Sequence, residues 1–207
     1  MTLKIYGIPA SRAIRPLWAA EELGLAYENI PLHYASPEVK AAPYLKLNPN
    51  GLVPTIEDDG LVLFESLAIT LHLARKHAAA GLWPADADAQ SLALQWTLWA
   101  ATSVEPLTTQ WTQHSRMLPP ERRRPELADE ALQALARRFA VLEAQLAQRD
   151  YLLGKEFSVA DLNLAAVLHR FAELGGERYA AAWDWHRRCL ARPAARRAFA
   201  LREQPAR

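Results

Sequence analysis

Two polar residues, Glu65 and Ser66, stand where a short strand gives way to the helical run LAITLHLARKH. Ser66 is placed to act as the N-cap of that helix, so backbone N–H groups and the positive helix end converge there on a site that suits a carboxylate. Glu65 beside it can bind an ammonium group. The alternative is that Ser66 only caps its helix and Glu65 is a solvated acid of the first turn.

A second polar pair precedes the first helix, in the segment SRAIRPLWAAEELGL. Pro16 has no N–H to donate, so the regular helix is expected to begin at about Ala13 or later. Gly24 is typical of a helix end, because glycine adopts the left-handed conformation of a C-terminal cap. Ser11 and Arg12 therefore lie in the loop just ahead of the positive end of this helix.

The segment LNPNGLVPTIEDDG contains a turn followed by Val53-Pro54. The ordinary interpretation is a trans proline that opens an edge strand, since only about 5–6% of X-Pro bonds in folded proteins are cis. The segment therefore marks a bend, and its conformation is left open by the residues themselves.

Charge and composition exclude several classes of partner. The 24 Lys and Arg against 23 Asp and Glu give a net charge of +1, which provides no long-range field to attract nucleic acid or an anionic membrane. Cys189 is the only cysteine, so an internal disulfide is excluded and a reducing, cytoplasmic location is expected. No signal peptide or membrane-spanning run is recognised, and the six histidines have no metal-ligand spacing.

The first half of the chain alternates strands and helices. Strands are predicted at Leu3 to Tyr6, Tyr27 to Leu32, Thr55 to Asp58 and Leu61 to Phe64. The order of elements is that of an α/β domain, in which the first two strands are parallel and the last two are antiparallel. A small mixed sheet of four strands is the result.

The second half contains only helical patterns. Residues 81–88 include Gly81 and Pro84 and are predicted to link a domain of residues 1–80 to an all-α domain of residues 89–207. A seam of four apolar residues, Leu135, Phe139, Leu142 and Leu146, predicts one helix of that second domain. Ser158 three residues before Asp161 is typical of a capping box at the start of another.

Four segments in this order, SRAIRPLWAAEELGL, LNPNGLVPTIEDDG, LFESLAI and FSVADL, resemble the cytosolic glutathione transferase family over essentially the whole chain. The resemblance implies a thioredoxin-like N-terminal domain that binds glutathione, an all-helical C-terminal domain that holds most of the electrophile pocket, and a homodimer. Glutathione is then a co-substrate, and no metal is required.

The resemblance also assigns the glutathione-binding residues. It implies that Val53-Pro54 matches the family's cis-proline, with Val53 presenting its backbone to the cysteinyl part of glutathione as an added strand does. Glu65 and Ser66 match the pair that holds the γ-glutamyl end. Lys40 lies where many members place a basic residue that meets the glycine carboxylate, although a solvated lysine is the alternative.

Ser11 matches the serine that activates the thiol in the theta-like and related bacterial members. A hydroxyl that donates to the sulfur beside a helix N-terminus favours thiolate over thiol. Arg12 is the alternative for this role, because SRA also resembles members in which an arginine takes it over. The loop has no cysteine, which disfavours mixed-disulfide chemistry with glutathione there.

Three residues of the second half, Thr102, Glu105 and Trp111, match the helix face that lines the family's electrophile pocket. Trp111 is also spaced as a core residue, and Glu105 before Pro106 is also consistent with a simple kink. The resemblance therefore implies transfer of the glutathione thiolate to an apolar electrophile. Two alternatives remain: a non-catalytic glutathione-binding or interaction protein of the same fold, and a specialised glutathione-dependent lyase, dehalogenase or peroxidase.

Overall fold

The computed structural model describes residues 3–202, and they form two compact units. The first unit runs to Ala85 and resumes at Ala191, and the second spans Asp86–Leu190. The predicted all-α domain of residues 89–207 is thus divided between the two units.

The first unit contains a four-stranded sheet of order β2-β1-β3-β4. Its strands are β1 (Leu3–Tyr6), β2 (Tyr27–Ile30), β3 (Thr55–Asp58) and β4 (Leu61–Phe64). β1 pairs with β2 in parallel and with β3 antiparallel, and β3 pairs antiparallel with β4. The predicted mixed sheet and the predicted strand directions are confirmed.

Three helices connect and flank these strands: α1 (Ile14–Glu22), α2 (Ala42–Leu45) and α3 (Ser66–Lys76). α1 begins one residue after Ala13 and ends ahead of Gly24, whose φ is +64°. Every residue of α1 from Ile14 to Ala20 is buried, and α3 packs against α1. The two helices that carry the predicted polar sites at their N-termini therefore lie side by side.

The second unit is helical, with α4 (Ala87–Trp99), α5 (Glu105–Thr112), α6 (Pro125–Leu146), α7 (Val159–Val167) and α8 (Ala180–Ala191). α4 passes into α5 through a π-helical segment, Ala100–Val104, in which the Glu105 N–H donates to the carbonyl five residues back. Pro106 explains the change of pitch, because it has no N–H to continue the regular ladder.

The core of the second unit forms around α6 and α7. The predicted seam of α6 is buried, and so are all nine residues of α7. The predicted capping box is present, and the Asp161 carboxylate also accepts hydrogen bonds from Leu152 N–H and Trp185 Nε1, both at 2.8 Å.

The last described helix, α9 (Pro193–Ala200), packs on α1 in the first unit. Arg192 donates two hydrogen bonds of 2.8 Å to Glu22, whose side chain is buried, and Phe199 lies edge-on to Trp18. These contacts are the physical reason why residues from Ala191 onward group with the first unit. Within residues 3–202, none of the helices has the length and apolar character needed to span a membrane.

Candidate functional site

Three segments of the first unit meet around Gly7, which follows β1 and has φ +134°. A Cβ atom on Gly7 would lie 2.7 Å from the Cβ of Ala13 and 3.1 Å from the Cβ of Val53. Only glycine fits between these two side chains at this φ. The start of α1 and the segment ahead of β3 are thereby brought into contact with the same residue.

Ser11 lies in the turn before α1 and is half-buried. Its hydroxyl donates to the Ile8 carbonyl at 2.7 Å and accepts from the Ala13 N–H at 3.1 Å. The oxygen is therefore held by the turn, while the hydroxyl proton can rotate away from the carbonyl. Arg12 is the next residue of the same turn, and it is exposed.

The backbone ahead of β3 is fixed by buried side chains. The peptide bond between Val53 and Pro54 is cis. The carbonyl of Leu52 accepts two hydrogen bonds of 2.7 Å, one from the Tyr44 hydroxyl and one from the Asn48 side-chain amide. Burial raises the pKa of Tyr44, so its phenol remains a donor. These two donors hold the chain on the N-terminal side of Val53.

Lys40 contacts the turn that precedes Val53. Its Nζ donates to the carbonyls of Asn50 and Gly51 at 3.1 and 2.9 Å. An ammonium group has three donors, so one N–H remains beyond these two bonds. The structure therefore places a cation in the segment that leads to Val53.

The N-terminus of α3 differs from the prediction in one respect. Ser66 was expected to be the N-cap, and this was wrong by one residue: Glu65 is the N-cap, and Ser66 is the first helical residue. Glu65 has φ +70° and ψ +106°, a conformation that costs about 1–3 kcal/mol in a non-glycine residue and is found chiefly at functional sites. Glu65 is exposed, whereas Ser66 is 5% exposed.

Arg15 of α1 binds the side chain of Ser66. The Arg15 Nη1 donates to Ser66 Oγ at 2.9 Å, and both side chains are buried. This bond joins the first turn of α1 to the first residue of α3. Sequence reasoning gave Arg15 no role, although a charged residue inside the apolar run AIRPLWAA is a signal that could have drawn attention to it.

The three residues predicted for the electrophile pocket lie in the second unit. Thr102 is exposed in the π-helical segment and donates to the Leu98 carbonyl at 2.9 Å, and Glu105 opens α5. Trp111 is 7% exposed, and the guanidinium of Arg116 lies 4.9 Å from its ring centre. The position of Trp111 suits a core residue, and the role of all three in substrate binding stays a prediction.

The described residues contain no group of three or more His, Cys, Asp or Glu side chains arranged to hold a metal ion. The cationic and polar groups of the first unit suit an anionic organic ligand. Ser66 and the first turn of α3 can bind a carboxylate, Lys40 can bind a second one, and the backbone of Val53 lies between them along the chain.

Comparison with known proteins gives a family match in both halves of the chain. The family model described as the glutathione S-transferase N-terminal domain matches residues 1–75, and the C-terminal domain model matches residues 104–193. Glutathione S-transferase 3 of Zea mays is 34% identical over 170 residues, covering 80% of this chain and 76% of the relative. Glutathione S-transferase GstB of Escherichia coli K12 is 30% identical over 190 residues, covering 87% and 89%.

Solved structures agree with this match. The theta class glutathione S-transferase of Xanthomonas axonopodis pv. citri, crystallised with glutathione bound, superposes with a TM-score of 0.87 at 31% identity, covering 96% of this chain and 97% of that one. The family's fold thus extends over both units of the chain.

Proposed function

Because the chain belongs to the glutathione S-transferase family, we propose that it binds glutathione around Gly7 and adds the glutathione thiolate to an apolar electrophile. The observation that carries this proposal is the meeting of three segments at one end of the first unit. Gly7 contacts both the start of α1 and Val53, and Arg15 links α1 to Ser66.

Each part of the tripeptide has a complementary binding group in the first unit. The γ-glutamyl carboxylate binds Ser66 and the N-terminus of α3, and the γ-glutamyl ammonium binds Glu65. The backbone of Val53 pairs with the cysteinyl residue in the manner of an added strand. Lys40 binds the glycine carboxylate with its remaining N–H. The sulfur then lies near Ser11.

Ser11 stabilises the thiolate when its proton turns from the Ile8 carbonyl to the sulfur. A free thiol of pKa 8.5 is about 3% ionised at pH 7, and lowering the pKa by roughly two units raises this to about 75%. Nucleophilicity falls about six- to tenfold over the same change. The net gain is only a few-fold, so positioning of the thiolate against the electrophile supplies most of the acceleration.

The Ser11→Ala substitution tests this role. Thiolate absorbance of bound glutathione should show a thiol pKa about two units higher than in the wild type. Turnover of chlorodinitrobenzene should fall a few-fold at pH 7, with little change in the glutathione dissociation constant. Arg12→Gln is the matched comparison: if it raises the thiol pKa and Ser11→Ala does not, Arg12 carries the role instead.

A second candidate function is glutathione binding without catalysis. It is favoured by the two hydrogen bonds that engage the Ser11 hydroxyl within its own turn. Calorimetry and a panel of electrophiles, haloalkanes and peroxides separate the candidates. Tight glutathione binding with no turnover of any of them would support the second candidate, and selective turnover of a haloalkane or peroxide would indicate a specialised dehalogenase or peroxidase.

The electrophile is proposed to contact Thr102 and Glu105 of the second unit. Both lie at the π-helical segment, and such segments frequently occur at functional sites. Thr102→Val and Glu105→Gln should change KM for the electrophile while leaving KM for glutathione within about twofold. Equal changes in both constants would argue against this assignment. Trp111→Phe is expected to lower stability more than it changes either KM.

A homodimer is proposed on the basis of exposed apolar side chains. Leu61 and Val62 are 43% and 38% exposed on the edge strand β4, and Leu98 is 62% exposed on α4. Apolar residues on an open edge strand favour association. Light scattering should give the mass of a dimer, and Leu61→Lys with Val62→Lys should give a monomer that keeps its helical content.

A cytoplasmic location is proposed from the single cysteine, Cys189, which is buried. A chain without disulfides is suited to a reducing compartment. Cell fractionation with antibody detection tests this, and recovery of the protein from a secreted fraction would contradict it.

A further inference from the structure

The bond between Arg15 and Ser66 fixes which way the Ser66 hydroxyl can donate. A guanidinium has only donors, so Ser66 Oγ is the acceptor in this 2.9 Å contact. The hydroxyl proton must therefore point away from Arg15. Ser66 is the first residue of α3 and is buried, so that proton is available to a group that binds at the helix N-terminus.

The same end of α3 presents further donors. The first N–H that bonds within this helix belongs to Ile69 and donates to the Glu65 carbonyl at 2.9 Å. The N–H groups ahead of it are those that a helix leaves without intrahelical partners. Three groups therefore make the electrostatic potential at this end of α3 positive: the helix N-terminus, the hydroxyl proton of Ser66 and the buried guanidinium of Arg15. A positive potential with several donors suits a carboxylate.

We propose that Arg15 is a positioning residue that gives the site its preference for a ligand with a free α-carboxylate at its γ-glutamyl end. Arg15 acts through Ser66: it holds the oxygen, orients the proton and places a positive charge one hydroxyl away from the carboxylate. This inference rests on the proposed glutathione site and adds the reason why a γ-glutamyl peptide is preferred to a peptide without that carboxylate.

The test compares two peptides by calorimetry. Glutathione carries the α-carboxylate, whereas γ-aminobutyryl-cysteinylglycine lacks it and is otherwise the same. Arg15→Gln should weaken glutathione binding about tenfold or more, which is the scale of a hydrogen bond to a charged group. It should leave binding of the analogue within about twofold, and Arg15→Lys should recover part of the preference.

Ser66→Ala supplies the partner measurement. It should reduce the preference for glutathione to a similar degree, and adding Arg15→Gln to it should reduce the preference by less than Arg15→Gln does alone, because much of the effect of Arg15 passes through Ser66. Arg192→Gln is the control. It breaks an ion pair with Glu22 in the same unit, and Arg192 is far along the chain from both Arg15 and Ser66. It should lower stability and leave the preference unchanged.

Equal weakening of both peptides by Arg15→Gln, or no weakening of either, would overturn the inference. If Arg15→Gln does not fold, Arg15→Lys and Ser66→Ala decide it by the same comparison. A wild-type protein that binds neither peptide would refute the glutathione site itself, and this outcome is distinct from a wild type that binds glutathione with a preference that Arg15 does not affect.

Discussion

His186 in the second unit should make folding stability depend on pH between about 6.5 and 4. The ring is 4% exposed and lies among Phe171, Trp183 and Trp185. Its Nε2 has no hydrogen-bond partner among residues 3–202. Burial lowers the pKa of His186 from 6.5 to about 4, an effect that the Ala165 and Leu168 carbonyls partly offset.

The sign follows from which state binds the proton. Below pH 6.5 the unfolded chain protonates this histidine and the folded chain does not, so stability is present above pH 6.5 and is lost as the pH falls towards 4. At 1.36 kcal/mol for each unit of pKa, the free energy of unfolding should fall by about 3 kcal/mol over this range. Other groups titrate in the same range, so a difference measurement is needed.

His186→Gln replaces the titrating ring with a non-titrating side-chain amide of similar size, which can still donate a hydrogen bond. Urea unfolding at fixed protein concentration, followed by tryptophan fluorescence from pH 7.5 to 4.5, gives the free energy of each protein. The wild type should lose its advantage over the variant as the pH falls, by about 1.4 kcal/mol per pH unit in the middle of the range. If the difference in unfolding free energy between the wild type and His186→Gln does not change with pH, this account of the buried ring is refuted.

Three further experiments test packing, hydrogen bonding and ion pairing. Gly7→Ala should lower stability and glutathione affinity more than Gly154→Ala does. Both glycines have φ near +140°, but only at Gly7 would the added Cβ contact neighbouring side chains. Equal losses in the two variants would mean that backbone strain is the sole cause. Asp161→Ala removes the acceptor of four buried hydrogen bonds and should cost about 3–5 kcal/mol in thermal or urea unfolding; a loss below about 1 kcal/mol would contradict the network. A double-mutant cycle of Arg192→Ala with Glu22→Ala should give a coupling of about 1 kcal/mol, and strict additivity would mean that the pair does not hold α9 on α1.

Much of the fold was predictable because local patterns and tertiary structure agree. Asp59-Gly60 predicts the hairpin between β3 and β4, and Asp59 and Gly60 both have positive φ. The position of α9 was not predictable, because it depends on ion pairs and ring contacts between residues about 170 positions apart. The π-helical turn was expected only as a kink at Pro106, since the sequence does not determine how a helix absorbs a missing N–H.

The candidate site was predictable where a residue's role follows from its own segment. Glu65 and Ser66 stand at a strand-to-helix junction, and the junction is there, shifted by one residue. Arg15 was missed because its role depends on Ser66, which is 51 positions away in the chain. Tyr44 and Asn48 were missed for the same reason: each supports a neighbouring carbonyl, and such support leaves no pattern in the sequence.

The docking of α9 on α1 has a consequence for how the chain acquires its structure during translation. The ribosome makes α1 and the sheet first, and it makes Arg192 and Arg197, which bind Glu22 and Glu21, only after the whole of Asp86–Leu190 has been made. While the second unit is being synthesised, the first unit therefore lacks the packing of α9 on α1. A nascent chain halted before Ala191 should consequently be more sensitive to protease in α1 than the released protein.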